Sequence, residues 1–388
     1  MGALSVGQGA RPLLTRAATG PLRRLFSWAS PDRRRVRRHS DAVFRLVVVI
    51  FLVVPREAQS GRPPTIRTVA ARAGVSKSLV SLVLKDSPHV SNERRSAVLA
   101  AMAELGYRLD PIARSLAERR TNTIGVVIDD LSNPWYVDLL HGLRRTLHER
   151  GLRPLLADGH TEPEAVEALF DLRVDGIVIV GTPTASAVTQ ANKIAESLPI
   201  VVAGTREPLL SAVDLVANDD DAGSRAVTRH LLEMGHRRVA HIVGEGEVGQ
   251  VRLAGYEAEM HLAGLPPQSL QGDWTEATGH EQAMRLLDRP DRPTAVFAAN
   301  DLAAIGVLTA ADELGLRVPD DLSVAGYDDT YFGRMRRLSL TTVDARTGEV
   351  GHEAGEVLTR RLAGDTSSPA TQLLRPRLVV RRSTGRAP

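Results

Sequence analysis

The sequence predicts an N-terminal all-α domain followed by a larger α/β domain that is built as two lobes. Three observations support this fold class. Residues 65–84 read as two short helices joined by a tight turn. From residue 122 onward, apolar strands alternate with helices, and a second set of such strands begins after residue 219. A length of 388 residues is enough for two or three domains.

The first 62 residues differ in composition from the rest of the chain. They contain the basic run Arg33–Arg38 and a continuous apolar run, Leu46–Val54. A helix needs about 20 apolar residues to span a bilayer, so this run is too short to cross one. Three interpretations stay open: a start codon assigned too far upstream, a disordered extension, and an export signal or anchor. We expect residues 1–62 to be a disordered or mis-started extension.

Residues 65–84 have the pattern of a helix-turn-helix. Thr65 is placed to cap the first helix, Gly74 to adopt a left-handed turn, and Ser76 to cap the second helix. The side chains expected to point outward from the second helix are mostly polar: Lys77, Ser78, Ser81 and Leu82. Such a helix after a tight turn can enter a DNA major groove, although a helical hairpin in a protein core would share the pattern.

Two further helices are predicted after this unit. Ser91 opens one that Gly106 ends, and Asp110 with Pro111 opens another that is barely two turns long. Because so short a helix is unstable unless it packs on something, we expect it to be ordered only on DNA. Its Leu116 would then act as an apolar wedge in a minor-groove step.

Charge is unevenly distributed along the chain, although the net charge is only +3. Residues 1–61 contain 11 arginines and 3 acidic residues, and residues 62–121 contain 11 basic and 5 acidic residues. The remaining residues contain 27 basic and 38 acidic side chains. A basic front on an acidic body is typical of a polyanion-binding domain attached to a sensor.

From residue 122 the chain alternates between apolar strands and helices. The first set of predicted strands is 123–128, 154–157, 176–180, 200–203 and 214–216. The second set is 239–243, 295–298 and 323–327. Helices are expected over 133–149, from Thr161, and over 222–234. Continuous apolar strands with helical connections predict parallel sheets covered by helices on both faces.

Four segments of the N-terminal region carry a family resemblance: VAARAGVSKSLVSLVL at 69–84, VSNERR at 90–95, LGY at 105–107 and PIARSL at 111–116. In this order and spacing they resemble the headpiece and hinge of the lactose/galactose repressor (LacI/GalR) family, and the resemblance continues to about residue 382. It implies three parts: a helix-turn-helix DNA-binding domain at 63–109, a hinge helix at 110–121, and an effector-binding and dimerisation domain at 122–388. The last would have the two-lobed, type I periplasmic-binding-protein-like fold, with lobe crossings near Asp219, Asp344 and Leu374.

The headpiece and the hinge together form the predicted DNA-binding surface. Its candidate contact residues are Thr65, Ser76, Lys77, Ser78, Leu79, Ser81, Leu82, Arg114 and Leu116. Sugar-responding repressors of the family often present polar pairs and an arginine or histidine here, whereas this chain presents Lys77, Ser78 and Leu82. The operator sequence therefore does not carry over from the family.

Polar and aromatic side chains follow several predicted strands, at the strand ends where ligands bind in open α/β sheets. The candidates are Asp130, Asn133, Trp135, Arg252, Trp274, Asn300, Asp301 and Asp328. Such groups can hydrogen-bond sugar hydroxyls and present an apolar face to the ring. Three of them also suit helix caps: Asn133, Asn300 and Asp301. As alternatives to ligand binding, Trp274 would fit as a packing residue and Arg252 would fit in an ion pair with a neighbouring carboxylate.

The family resemblance adds support for four of these candidates as effector-binding residues. Three match effector-contacting positions of the family: Arg252 in R-x-x-G-Y, Asn300 in A-N-D and Asp328 in G-Y-D-D. Trp274, in G-D-W, matches a position that stacks on sugar rings in sugar-responding members. Because Ala345 and Thr347 stand where some members have a polar or aromatic wall, the particular sugar does not carry over.

Together these features predict a sequence-specific DNA-binding transcriptional repressor, a homodimer located in the cytoplasm at the nucleoid. A small sugar-like effector would control its affinity for operator DNA, and whether that effector induces or co-represses stays open. No cofactor, metal or enzymatic activity is expected, because the sequence has no cysteine, P-loop, nucleophile elbow or metal-ligand spacing.

The alternative is an exported or membrane-tethered sugar-binding protein of the periplasmic-binding type. Residues 33–60 suggest it, because they imitate a secretory signal. It would leave residues 65–116 without a use, so we expect no membrane partner.

Overall fold

A computed structural model of the protein describes residues 64–84, 86–107, 120–130, 132–159, 161–204 and 213–388. The chain divides into two compact units, the first ending at Arg108 and the second beginning at Leu109. The predicted extension and most of the predicted hinge helix, including Arg114 and Leu116, lie outside the described residues.

The first unit contains three helices: α1 (Ile66–Ala73), α2 (Lys77–Leu84) and α3 (Asn92–Glu104). Thr65 caps α1, since its Oγ1 accepts a hydrogen bond from the Thr68 N–H at 3.4 Å. Gly74 ends α1 in the left-handed conformation, at φ +65°, and so allows the tight turn into α2. The predicted caps and turn of the helix-turn-helix are thus present.

One fully buried valine from each helix forms the centre of the headpiece core: Val69, Val80 and Val98. This core is small, because three short helices can bury little apolar surface. The exposed ion pair between Arg72 and Glu104 adds little to its stability.

The first lobe of the second unit begins with β1 (Thr123–Ile128), α4 (Pro134–Glu149), β2 (Arg153–Asp158) and α5 (Ala165–Asp171). It continues with β3 (Gly176–Val180), α6 (Ala185–Ile194), β4 (Ile200–Ala203) and β5 (Asp214–Asn218). Side chains alternate across these parallel strands, so that Val126 and Val178 pack on α4 while Val127 and Ile177 pack on α5 and α6.

The second lobe follows with α7 (Asp220–Glu233), β6 (Val239–Val243), α8 (Gly246–Leu262) and β7 (Gln268–Gln271). It continues with α9 (Glu276–Leu287), β8 (Ala295–Phe297), α10 (Asp301–Glu313) and β9 (Ser323–Ala325). The four strands form a parallel sheet in the order β7-β6-β8-β9. Helices α9 and α10 pack on one face of this sheet, and α7 and α8 pack on the other.

The chain passes between the lobes more than once. After β10 (Thr342–Asp344), α11 (Thr347–Leu362) packs against α4, and β11 (Thr371–Leu374) pairs with β5, which completes a six-stranded parallel sheet in the first lobe. Then β12 (Arg377–Val379) pairs antiparallel with β10 in the second lobe. These connections, together with the one after β5, place the carboxyl ends of both sheets beside the junction of the lobes.

One predicted helix begins four residues later than expected. The helix expected from Thr161 begins instead at Ala165, because Asp158 holds the preceding segment in a turn. The Asp158 side chain accepts the Thr161 N–H at 3.0 Å, and its carbonyl accepts the Glu162 N–H at 3.0 Å.

The described part of the chain contains no helix that is both long enough and apolar enough to cross a bilayer. The apolar run Leu46–Val54 lies outside that part.

Candidate functional site

The outer face of α2 is the candidate nucleic-acid surface. Lys77 and Ser78 are exposed, and Leu82 keeps 42% of its surface accessible, whereas Val80 and Val83 point into the core. An outward apolar side chain beside a cation suits contact with base methyl groups and phosphates in a major groove.

The other predicted headpiece contacts have additional local roles. Ser76 caps α2, because its Oγ accepts the Leu79 N–H at 3.2 Å, and Thr65 caps α1. Leu79 is half-buried against the headpiece core, and Ser81 is half-buried beside it. Cap residues at a helix N-terminus still leave free backbone N–H groups nearby, which can meet DNA phosphates.

The junction of the two lobes encloses a cavity of about 110 Å³. Six of the eight predicted effector residues line it: Asp130, Asn133, Trp135, Arg252, Trp274 and Asp328. They come from different strand ends and helices of both lobes, and residues as far apart as Asp130 and Asp328 meet there. We call this cavity the interlobe cleft.

Arg252, on α8, is the buried centre of the cleft. Its Nε donates to Asp220 Oδ1 at 2.9 Å, one terminal nitrogen donates to the Ala299 carbonyl at 2.7 Å, and the other lies 3.5 Å from Asp328 Oδ1. The guanidinium carbon lies 3.5 Å from the centre of the Tyr327 ring, which adds a cation–π contact. With only 4% of its surface exposed, Arg252 is held in one orientation by groups from three parts of the chain.

Asp328 has an unusual backbone and an unusual charge state. It and Asp329 have positive φ values, +102° and +49°, which cost energy for residues other than glycine and often occur at functional sites. Burial raises the pKa of Asp328 to about 8, while Arg252 lowers it and the neighbouring carboxylates raise it further. Asp328 can therefore donate a hydrogen bond near neutral pH, as well as accept one.

This raised pKa predicts a particular pH dependence of stability. The unfolded carboxyl titrates near pH 4, so the folded chain holds a proton that the unfolded chain has lost between about pH 4 and pH 8. The stabilisation of the folded chain by the Asp328 carboxyl is fully present below pH 4 and is lost as the pH rises through 8. Over that range the free energy of unfolding falls by up to about 1.4 kcal/mol per pH unit. Asp301, whose pKa burial raises to about 6, acts in the same direction.

We therefore expect Asp328→Asn to flatten the fall in unfolding free energy from pH 5 to pH 9. Urea unfolding at a series of pH values measures this slope, with Asp312→Asn, at an exposed position, as the control. Equal slopes for the wild type and Asp328→Asn would contradict the prediction.

Two of the predicted effector residues, Asn300 and Asp301, do not line the interlobe cleft. Asn300 caps α10, since its Oδ1 accepts the Ala303 N–H and its Nδ2 donates to the Trp274 carbonyl. Asp301 is fully buried and accepts hydrogen bonds from the Thr330 backbone and from the Thr330 and Thr342 hydroxyls. Both side chains thus hold the loops behind the cleft, and the helix-cap interpretation fits Asn300.

Sequence reasoning missed several residues that line the cleft. They are Tyr136, Gly181, Thr182, Gly204, Asn218 and Val248, together with Asp129, which adjoins Asp130, and Glu245, which lies seven residues before Arg252. Thr182, Gly204 and Asn218 lie at the carboxyl ends of β3, β4 and β5, so reading every strand end would have found them. Tyr136 and Val248 lie on helices, and no sequence signal marks them.

A larger cavity of about 380 Å³ lies on the other side of Asp328. Residues of α4, including His141 and Arg145, line it together with Arg346 and Thr347. Asp328 is shared by both cavities, and none of the other predicted effector residues reaches this one. Ala345, one of the two departures from the family pattern, is fully buried, and Thr347 faces this second cavity.

Within the described ranges, no group of His, Asp and Glu side chains could hold a metal ion.

A helix-turn-helix headpiece in one chain with a two-lobed ligand cleft defines a ligand-controlled DNA-binding regulator. Residues 65–110 match the family described as bacterial regulatory proteins, lacI family, and residues 228–384 match a periplasmic binding protein-like domain. The HTH-type transcriptional regulator DegA of Bacillus subtilis is 34% identical over 331 residues, which cover 82% of this chain and 98% of DegA. The protein belongs to the lacI family of transcriptional regulators.

Further relatives match over most of this chain. The HTH-type transcriptional repressor PurR of Escherichia coli is 32% identical over 333 residues, covering 84% of this chain and 98% of PurR. The Lac repressor dimer bound to operator and the anti-inducer ONPF matches with a TM-score of 0.76 and 29% identity, over 84% of this chain and all of that one. A complex of the regulator CelR with cellobiose matches with a TM-score of 0.62 and 33% identity, over 82% and 99%.

These relatives are DNA-binding regulators rather than enzymes. The headpiece match also favours a transcriptional regulator over an exported binding protein, which would have no use for residues 65–110.

Proposed function

We propose that this regulator is a homodimeric repressor whose affinity for operator DNA is set by a small sugar-like effector in the interlobe cleft. The observation that carries the proposal is the convergence of Arg252, Asp328 and two tryptophans on one cavity between the lobes. Hydrogen-bonding groups around a small cavity with aromatic walls suit a polyhydroxylated ring. The relative CelR, solved with cellobiose, supports the same ligand class.

Two copies of the headpiece would place two α2 helices in successive major grooves of a pseudo-palindromic operator. The hinge segment would add Arg114 and Leu116, the latter as a wedge in the central minor groove. Closure of the lobes around the effector would shift the geometry of the dimer and so the order of the hinge. Because one equilibrium links the two sites, effector and operator must change each other's affinity by the same factor.

A cluster of exposed apolar side chains supports self-association. Tyr331, Phe332 and Met335 lie together in the loop before β10, with Tyr331 70% exposed. An exposed apolar patch of this kind on a soluble domain is typical of an interaction surface. We assign it to the contact with the second copy.

The proposal is tested by selecting an operator from random DNA and then screening sugars for thermal stabilisation of the purified protein. We expect a sugar that raises the melting temperature to change operator affinity as well. A sugar that stabilises the protein but leaves operator affinity unchanged contradicts the proposed coupling.

Lys77→Ala is expected to weaken operator binding and to reduce its salt dependence. If Lys77 neutralises one phosphate per half-site, the slope of log K against log salt should fall by about 0.9 per site. Titrations at several salt concentrations measure this slope. Lys193→Ala is the matched control, because it removes the same charge from an exposed position of α6, outside the headpiece. An equal effect of the two substitutions would remove Lys77 from the DNA-binding surface.

A further inference from the structure

The aromatic side chains that line the interlobe cleft, among the described residues, each lie against a glycine. The pairs are Trp135 with Gly204, Tyr136 with Gly181, and Trp274 with Gly244. Each of these glycines is the first residue after a strand: β4, β3 and β6 in the same order. A strand end without a side chain leaves room for a ring to lie on the backbone, so the aromatic walls of the cleft depend on these glycines.

The outer ring of Trp274 occupies the place where a side chain at position 244 would begin. A Cβ on Gly244 would lie 2.7 Å from Trp274 Cζ2 and closer still to Cη2 and Cζ3, whereas Cβ atoms essentially never lie within 3.0 Å of such neighbours. The three atoms nearest to that Cβ all belong to Trp274, and the φ of Gly244 is not in the positive range. Room for the indole, rather than an unusual backbone conformation, therefore accounts for the glycine.

The first lobe has the same arrangement at Trp135. A Cβ on Gly204 would lie 2.7 Å from Trp135 Cζ2 and closer still to Cη2. Gly204 also has a φ of +92°, which residues with a Cβ seldom adopt, so two separate reasons favour glycine there. Each lobe thus presents to the cleft one indole ring that lies on the glycine at the end of a strand.

Neither ring can move away from the cleft without disturbing the core behind it. Trp274 packs against the hydrophobic core of the second lobe, and its carbonyl accepts a hydrogen bond from Asn300 Nδ2 at 3.0 Å. Trp135 belongs to the core of the first lobe and packs edge-on against Tyr136, with 5.0 Å between the ring centres. A Cβ at either glycine would therefore push its indole toward the open side, which is the cavity of about 110 Å³.

We propose that Gly244 and Gly204 are positioning residues for the effector, because they hold Trp274 and Trp135 clear of the cavity and so keep it open to a ring-shaped ligand. This inference rests on the proposed function, since it takes the cleft as the effector site. In a small pocket, one added or missing methylene changes discrimination between ligands by about 10- to 200-fold. Displacement of an indole ring into the cavity is expected to have an effect of at least that order.

Tryptophan fluorescence follows the ring without any ligand. The chain has three tryptophans, so Trp28→Phe combined with Trp135→Phe leaves Trp274 as the reporter in the full-length protein. We expect Gly244→Ala to shift the Trp274 emission to longer wavelength and to increase its quenching by acrylamide, because the ring moves toward the open cleft. Gly348→Ala is the control, since a Cβ there makes only an ordinary contact of 3.6 Å and lies outside the cleft.

Ligand binding tests the consequence for the effector. Calorimetric titration of the otherwise unchanged protein with ribose, glucose, galactose and mannose measures each Kd. We expect Gly244→Ala to weaken the tightest of these about tenfold. In a Trp274→Phe background the same substitution should cost much less, because the shorter phenyl ring does not reach the position of the outer indole atoms. A role of Gly244 in the backbone alone would give equal costs in the two backgrounds.

Unchanged emission and quenching in Gly244→Ala, or equal costs in the two backgrounds, would overturn the inference. If Gly244→Ala does not fold, its combination with Trp274→Phe should fold, because the overlap is removed, and a failure of that variant to fold would overturn the inference as well.

The proposed function fails separately. If none of the sugars binds, or if a sugar binds without changing operator affinity, the proposed function fails, while the fluorescence of Gly244→Ala still decides whether the glycine positions the ring. If a sugar binds and changes operator affinity while Trp274 stays in place, the proposed function stands without this role of Gly244.

Discussion

Replacing Arg252 by alanine is expected to destabilise the effector domain by about 3–5 kcal/mol and to remove the response to effector. The substitution leaves Asp220 buried with no cation, and it also removes the stacking on Tyr327 and the hydrogen bond to the Ala299 carbonyl. A buried carboxylate without its partner is far more costly than the loss of an exposed ion pair. Chemical denaturation of the wild type and the variant measures the difference.

Two variants separate the loss of stability from the loss of response. Arg317→Ala breaks an exposed ion pair with Asp321 and is expected to lower the stability far less than Arg252→Ala does. Arg252→Lys keeps the charge beside Asp220 but cannot form the fork of hydrogen bonds. We expect it to recover much of the stability while operator binding persists and the effector response stays weak. An Arg252→Ala variant as stable as Arg317→Ala would contradict the central role of Arg252.

Replacing Gly142 by alanine is expected to destabilise the first lobe by about 2–3 kcal/mol. Helices α4 and α11 approach so closely that a Cβ at Gly142 would overlap the carbonyl oxygen of Gly348, and one at Gly351 would overlap that of Leu139. Alanine is the better helix former by about 1 kcal/mol, but backbone atoms cannot move aside as a flexible side chain does, so the overlap dominates. Denaturant unfolding measures the loss.

Gly348→Ala is the control from the same interface. A Cβ there would lie 3.6 Å from the Asp138 carbonyl oxygen, which is an ordinary contact, so we expect no loss of stability and a gain of up to about 1 kcal/mol from the helix propensity of alanine. Because α11 directly follows the return of the chain from the second lobe, Gly142→Ala should also alter the effector response. Equal stabilities of the two variants would show that α4 and α11 can separate without cost.

The interlobe cleft was predictable in part because parallel strands bring their carboxyl ends to one edge. Reading the residues after the strands was enough to select Trp135, Arg252 and Asp328, which meet in one cavity. The same rule also selected Asn300 and Asp301, which do not line the cavity. Their hydrogen-bond partners are distant in sequence: Asn300 donates to the Trp274 carbonyl, and Asp301 accepts from the Thr342 hydroxyl. A strand-end position therefore identifies the neighbourhood of the cavity, while hydrogen-bond partners decide which side chains face it.

The sequence by itself determined the local features of this protein. The cap at Thr65, the turn at Gly74 and the outward face of α2 follow from interactions within a few residues. Tertiary structure alone decided which charges are balanced, because Arg252 meets Asp220 and Asp328 only when residues from distant parts of the chain fold together. It also decided that Gly142 serves the contact between two helices, since glycine in a helix is locally unfavourable and only the approach of α11 explains it.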